Sequence, residues 1–279
     1  MNGLKQNNIT ILGSGTSTGT PIIGCHCKTC LSDHPYDQRL RASIFLKTKH
    51  NHHILVDATP DLRFQLLRQK IFHIDFVIIS HEHADHIHGI DDLRQICFKK
   101  TDHELEIYCA QFHQTHLVER FPYIFQRDKF FSKNRPILGG GIPILKLKTL
   151  DLKDEINQIE IANEPFTFFL LPHNYTKTVC FYHDGLAYLP DCHEITDQVL
   201  DFLTLQKPRL LIINCLQKED HQTHLTVEKS FAYIHKIRPE SAGLIHMNHN
   251  LSHAELTRLA KENFDFPVFP VYDTQNLTY

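Results

Sequence analysis

Nowhere in the 279 residues does an apolar run approach the roughly 18–20 residues that a helix needs to cross a bilayer, so no membrane-spanning helix is expected. The first residues, MNGLKQNNITILG, hold one short apolar run and lack the layout of a secretory signal, which makes the cytoplasm the expected location. Neither sign of charge dominates. Lys and Arg total 29 against 32 Asp and Glu, a formal net charge of −3, which argues against a general polyanion binder and makes nucleic acid an unfavoured partner. Repeats, low-complexity tracts and Pro/Gly/Ser linkers are also missing. Residues 1–279 therefore read as one domain, long enough to bury a sizeable core.

What the chain does have is sulfur and imidazole, in eight cysteines and 22 histidines. Cys25, Cys27 and Cys30 fall within CHCKTC, too close together to staple distant parts of a fold. In a reducing compartment such a cluster reads as metal ligation or redox chemistry. The spacing supplies three soft thiolates on a glycine-flanked loop, and a closed tetrahedral site needs one further ligand. His26, between two of them, reads as a bystander. Cys97, Cys109, Cys180, Cys192 and Cys215 stand singly in apolar surroundings and read as inert core residues.

Short β-type runs fill the first part: NITILG, SIFLKT, HHILVDA and DFVIIS. A helical pattern comes next, with Ile87, Ile90, Leu93 and Ile96–Cys97 spaced for one apolar face. LEIYCA, ILKLKTL and PFTFFLLPH read as strands, FHQTHLVERFPYIF as a helix, and TVCFYHDGLAYLPD as a hairpin turning at Asp184-Gly185. The last third alternates: a helix near 193–205, the strand RLLIINC, a helix near 226–237 and the strand AGLIHM. A further helix then opens on the capping box Ser252-x-x-Glu255, and a terminal strand ends the chain. Two strand-rich halves with helices between them point to two packed sheets with helices outside, an αββα four-layer sandwich of the α/β class.

Ligand-type residues sit at the ends of these strands. DFVIIS runs into HEHADH, His173 ends PFTFFLLPH, Asp191 ends LAYLPD, and His246 lies within GLIHM. His81 and His83, two apart, can splay onto one metal. Asp85 and His86, opening the next turn, can address a second. A bridging carboxylate at Asp191 would hold the two ions at the separation of roughly 3.5–4 Å typical of two-metal hydrolases.

The H-x-H-x-D-H motif with the later His, Asp and His resembles the metallo-β-lactamase superfamily over nearly the whole chain. The resemblance implies one metal on His81, His83 and His173, a second on Asp85, His86 and His246, and Asp191 as the bridge. It makes Asp57, in ILVDATPDLR, a brace that does not ligate. LGSGTSTGTPIIGCHCKTC resembles the start of phosphodiesterases related to the cyclic-phosphate diesterase of the carbon–phosphorus lyase pathway. That likeness implies a structural zinc on Cys25, Cys27, Cys30 and His249, and a homodimer. His246 and His249 are three apart at the end of a strand, and strand alternation would turn them to opposite sides. Relatives also place a histidine before the helix near 226, suited to protonate a leaving oxygen. Ungapped matching favours His221, whereas the spacing of tRNA-processing relatives favours His224, and both stand as candidates.

The resemblance thus implies a hydrolase with two catalytic divalent metals, zinc or manganese, acting on a small cyclic, nucleotide or sugar phosphodiester. The ions, with Asp85 among their ligands, would lower the pKa of a water between them to about 7 and offset charge on the attacked phosphorus. The alternatives are a tRNA 3′-processing endonuclease, which normally lacks the cysteine cluster, and a non-catalytic metal-binding accessory of a biosynthetic pathway. Arg94, Lys99, Lys100, Lys133 and Arg135 either meet a phosphate or form a solvated face. The remaining histidines, among them His53, His73, His113, His183 and His253, read as surface or supporting residues. Glu82, inside the motif, is given no role.

Overall fold

Two sheets face each other in the computed structural model, which describes residues 6–101, 103–131 and 141–279. The first contains β1 (Asn8–Gly13), β2 (Ser43–Lys47), β3 (His53–Val56), β4 (Phe76–Ile78), β5 (Leu105–Ala110) and β6 (Leu145–Leu150). The second contains β7 (Ile156–Ile161), β8 (Glu164–His173), β9 (Thr176–His183), β10 (Leu186–Leu189), β11 (Leu210–Asn214), β12 (Ser241–Ile245) and β13 (Val268–Pro270). A last strand, β14 (Asn276–Thr278), returns to the first sheet, giving the orders β14-β1-β2-β3-β4-β5-β6 and β13-β12-β11-β10-β9-β8-β7.

Strands covered on both faces have no polar side, and β10 and all of β11 but its last residue, Asn214, are apolar for that reason. Leu186, Tyr188, Leu210 and Ile212 join Ile9, Ile44, Ile54 and Phe76 between the sheets. Their neighbours Ala187, Leu189, Leu211 and Ile213 pack outward with Val199, Phe231 and Leu256. Helices α1 (Leu62–Gln69), α2 (Ala84–Ile87), α3 (Arg94–Lys99), α4 (Gln111–Arg120), α5 (Pro122–Phe125) and α6 (Arg127–Phe130) come after strands of the first sheet. All but the last put residues into the cluster on its outer face. Helices α7 (Asp197–Gln206), α8 (Val227–Ile237) and α9 (His253–Asn263) cover the second. The layers are therefore helix, sheet, sheet, helix, as the strand and helix pattern implied.

Local signals hold where they carry a mechanism. Asp184 and Gly185 both have positive φ, 43° and 98°, as a tight hairpin turn requires. Ser252 accepts the Glu255 N–H at 3.2 Å and caps α9. Other elements differ from the sequence reading. β7, with its Asn, Gln and Glu, was not expected; it is an edge strand, made a strand by pairing with β8 rather than by composition. The helix expected over FHQTHLVERFPYIF breaks at Phe121, φ −123°, because the residue before a proline avoids the helical region. The helical stretch after DFVIIS is segmented into α2, a 3-10 turn at Ile90–Leu93 and α3, although its apolar residues are all buried.

Three of the five basic residues offered for phosphate are engaged elsewhere. Arg94 donates to the Gly141 carbonyl, Lys100 to that of Asp75, and Lys99 lies over the Phe72 ring. Lys133 and Arg135 lie outside the described residues. Among the described residues, no helix is long and apolar enough to cross a membrane.

Candidate metal centre

Every histidine and aspartate of interest leaves the C-terminal end of a strand, where a rigid scaffold fixes it. Asp57 follows β3, His81 and His83 follow β4, His173 ends β8, Asp191 follows β10, and His246 follows β12. Two of these positions take a left-handed backbone that costs a non-glycine residue energy: Asp57 with φ 67° and His246 with φ 62°.

Asp57 is buried and accepts from three directions. Its Oδ1 takes the Ser80 N–H at 2.8 Å, and its Oδ2 takes the Ser80 hydroxyl at 2.8 Å and His86 Nδ1 at 2.7 Å. Because the Ser80 proton goes to Asp57, Ser80 Oγ accepts from His81 Nδ1 at 3.0 Å. One carboxylate thus puts the proton of both His81 and His86 on Nδ1 and turns both Nε2 lone pairs inward. His173 is set the same way, its Nδ1 donating to the Thr223 carbonyl at 2.9 Å.

Those lone pairs converge. His81 Nε2 and His173 Nε2 lie 3.0 and 3.2 Å from His83 Nδ1. Burial holds His81 well below the usual histidine range and brings His173 down to about 4, so neutral acceptors face one another. Two donors each about 2.1 Å from a tetrahedral ion stand about 3.4 Å apart, within a few tenths of an ångström of these separations. The triad therefore fits a cation.

Beside it the character changes from imidazole to carboxylate. His86 Nε2 is 3.2 Å from both Asp85 Oδ2 and Asp191 Oδ2, and His246 Nε2 is 3.0 Å from Asp191 Oδ1. Burial would raise Asp191, but the imidazoles of His246 and His86 outweigh it and hold the carboxyl well below its usual range. Burial likewise opposes the charge on His246, yet Asp191 and Asp85 lift it to about 9. Both oxygens of Asp191 and both nitrogens of His246 are buried without a hydrogen bond of acceptable geometry. Orphaned buried atoms this close are the mark of a donor set shaped for an ion. His81, His86 and Asp191 form one possible ligand group, and Asp85, His86 and His246 another, with His86 common to both.

The thiolate cluster also assembles. His249 Nδ1 lies 3.2, 3.4 and 3.6 Å from the sulfurs of Cys25, Cys27 and Cys30. A tetrahedral zinc with sulfur at about 2.3 Å and nitrogen at about 2.0 Å separates them by about 3.5 Å. The Cys30 N–H stabilises the Cys27 thiolate and draws its pKa to about 6. His246 and His249 do face different clusters, but strand alternation is not the reason. β12 stops at Ile245, and the left-handed turn at His246 redirects the chain. Arg39, fully buried, clamps the loop beyond it: its guanidinium donates to the Asn248 and Leu251 carbonyls at 2.8 Å and pairs with Asp37 at 3.0 Å.

Of the two late histidines, His224 is nearer the centre. Its Nδ1 is 3.2 Å from Asp191 Oδ1, and its ring stacks 4.7 Å from that of His246. His221 lies one ring farther out, 5.2 Å from His224. Leu225 N–H fixes Asn214 Oδ1 as an acceptor, so Asn214 Nδ2 donates to His224 Nδ1 at 3.0 Å and the His224 proton belongs on Nε2.

Several supporting residues escaped the sequence reading. Ser80 had a usable signal, a hydroxyl directly before His81. Tyr175, whose hydroxyl is 3.2 Å from His83 Nε2, and Asn214 had none. Glu82, passed over inside the motif, is buried and ion-paired with buried His113, while Arg120 donates to its carbonyl.

The beta-lactamase superfamily domain matches residues 52–247, and the chain belongs to that superfamily as a metallohydrolase of the metallo-β-lactamase fold. A diphosphatase from the PhnP family superposes with a TM-score of 0.85 at 29% identity, covering 98% of this chain and 97% of that one, and fits the branch that the N-terminal motif resembles. Zinc-bound PqqB from Methylobacterium extorquens shares the fold, with a TM-score of 0.74 at 18% identity over 97% of this chain and 99% of that one. An octanoyltransferase of Porphyromonas gingivalis is 33% identical over 241 residues, 86% of this chain, which spans only 46% of that relative's length.

Proposed function

We propose that the chain hydrolyses small phosphodiesters, of the cyclic, nucleotide or sugar phosphate class, with two divalent cations, zinc or manganese. His81, His83 and His173 would hold one ion, Asp85, His86 and His246 the other, with Asp191 shared; Cys25, Cys27, Cys30 and His249 would hold a structural zinc. Bound ions supply Lewis acidity and draw the pKa of water toward neutrality. The observation that carries the reading is the buried Asp191 carboxylate, its two oxygens turned to His86 and His246 with no hydrogen bond of their own.

The chain's own side chains do the rest. Asp57 orients His81 and His86 before any ion arrives. His224, its proton on Nε2 and its ring against His173 and His246, is placed to protonate a leaving oxygen. An open groove of about 930 Å³ meets the centre's edge at Tyr175, with Lys153 and Lys177 on its walls among the carboxylates of Glu82, Asp154 and Glu155, and has room for a small ester. A relative of matching length named as a diphosphatase supports phosphorus as the attacked centre.

Bis(p-nitrophenyl) phosphate tests the proposal. Turnover should vanish on chelation, return with manganese or zinc, and fall below about a tenth of wild type in Asp191→Ala, since outer partners of metal ligands alone cost about 10–100-fold. Fully metallated protein no faster than free metal would refute it.

A further inference from the structure

β3 and β4 carry polar side chains at both ends. Their C-terminal ends lead to Asp57 and His81; their opposite ends begin at His53 and just after Asp75. Four strand residues, about 13 Å at the usual rise, separate the two groups. At the far end the His53 N–H donates to Asp75 Oδ2 at 2.7 Å and the Asp75 N–H donates to the His53 carbonyl at 2.8 Å. This pair of hydrogen bonds continues the parallel pairing of Ile54 with Phe76, so the two residues are held rigidly. His73 completes the group, its Nε2 2.9 Å from Asp75 Oδ1 and its ring 5.4 Å from that of His53.

Three features set this group apart from an ordinary surface ion pair. One donor atom from each of His53, His73 and Asp75 lies within 4.8 Å of the other two. The His73–Asp75 separation of 2.9 Å, that of a hydrogen bond, is also close to the bite of about 3.0 Å that two ligands at right angles make on a square-planar ion. His53 Nδ1 is buried with no hydrogen-bond partner, so the imidazole is not fully used by the protein. Access is open, because the His73 side chain is 57% exposed. Three lysines lie near: Lys47 stands opposite His53 across the β2–β3 ladder, Lys100 bonds the Asp75 carbonyl at 3.1 Å, and Lys99 lies 5.3 Å over the Phe72 ring.

We infer that His53, His73 and Asp75 form a separate metal site for one borderline divalent ion, such as zinc, nickel or copper. Two imidazoles and a single carboxylate select such ions over magnesium and calcium, which take sets of oxygens. The site stands whether or not the other centre is hydrolytic.

Nickel binding by the full chain carrying its thiolate-bound zinc tests it. Wild type should bind one equivalent more than His73→Ala, an exposed change that leaves the fold intact. Asp75→Asn, which keeps an oxygen for the His53 N–H, should lose the same equivalent. Copper added to zinc-filled wild type should give an electron paramagnetic resonance spectrum with nitrogen splitting that His73→Ala removes. Equal nickel equivalents in wild type and His73→Ala would overturn the site. So would an equivalent lost together with hydrolytic turnover, because that ion would belong to the other centre.

Discussion

The thiolate cluster and the histidine–aspartate cluster hang on the same stretch of chain, residues 246–249, yet their donor sets differ. The first gathers three sulfurs and one imidazole, and four ligands close a tetrahedral ion. The second gathers five imidazoles and two carboxylates, and His83 at its edge meets exposed Tyr175, which also lines a groove. Charge differs as well. Neutral imidazoles dominate one half of the open centre, and ionised Asp85 and Asp191 dominate the other. A closed donor set contributes to folding free energy, whereas an open one leaves positions for substrate. On the proposed function, the contrast would separate stability from turnover within four residues.

Exchanging one ligand on each side should give the largest effects. His246→Ala is expected to lower turnover about 100-fold or more while the thiolate-bound zinc stays. His249→Ala is expected to lose one zinc per chain and to lower the melting temperature, each kcal/mol reading as about 2–4 °C in a chain of this size. Metal content, melting and turnover measured on both variants decide the matter. Loss of the same ion from both would erase the distinction.

A smaller effect tests the open centre alone. His224→Ala should lower kcat by about 10²–10⁴ with metal content unchanged, and His221→Ala should lower it far less. The His224 loss should shrink for esters with good leaving groups, which need no proton. A loss independent of the leaving group would remove His224 from proton transfer.

The smallest effect belongs to the closed side. His253 stacks on His34 and packs at a tilt against Tyr36 beside the Arg39 clamp, and burial, reinforced by the charges of Arg39 and His34, brings its pKa from 6.5 to about 4. The unfolded chain takes up that proton near 6.5 and the folded chain only near 4. Its contribution is therefore intact above about pH 6.5 and is lost as the pH falls toward 4. His253→Gln should flatten the fall in melting temperature across that interval, and parallel curves for the two proteins would contradict it.

Much of this was legible in the residues, for reasons that differ between elements. Strands buried on both faces announce themselves as apolar runs, and the residues that end them stand out against that background; His173 and Asp191 were visible in this way. The Ser252 cap and the Asp184-Gly185 turn carry their chemistry in two to four adjacent residues. β7 was not legible, because an edge strand owes its state to its partner. Nor was the turn at His246. Nothing local requires a left-handed histidine; it is held by the Met247 N–H on the Ser14 carbonyl and the Thr16 N–H on the Met247 carbonyl, from a strand some 230 residues earlier. Asn214 and Tyr175 reach the centre only through tertiary packing. The pairing of Glu82 with His113 likewise joins a loop to a helix 31 positions on.

Asp57 has a consequence that reaches past orientation. A single carboxylate, through Ser80 on one side and directly on the other, sets the basicity of His81, a ligand candidate for one ion, and of His86, a ligand candidate for its neighbour. Two ions held at these histidines, as the proposed function has them, would be thermodynamically linked: whatever drew charge from Asp57 at one would leave less for the other. Filling either position would then change the affinity of the other by the same factor, a reciprocity that any binding isotherm of the pair would obey.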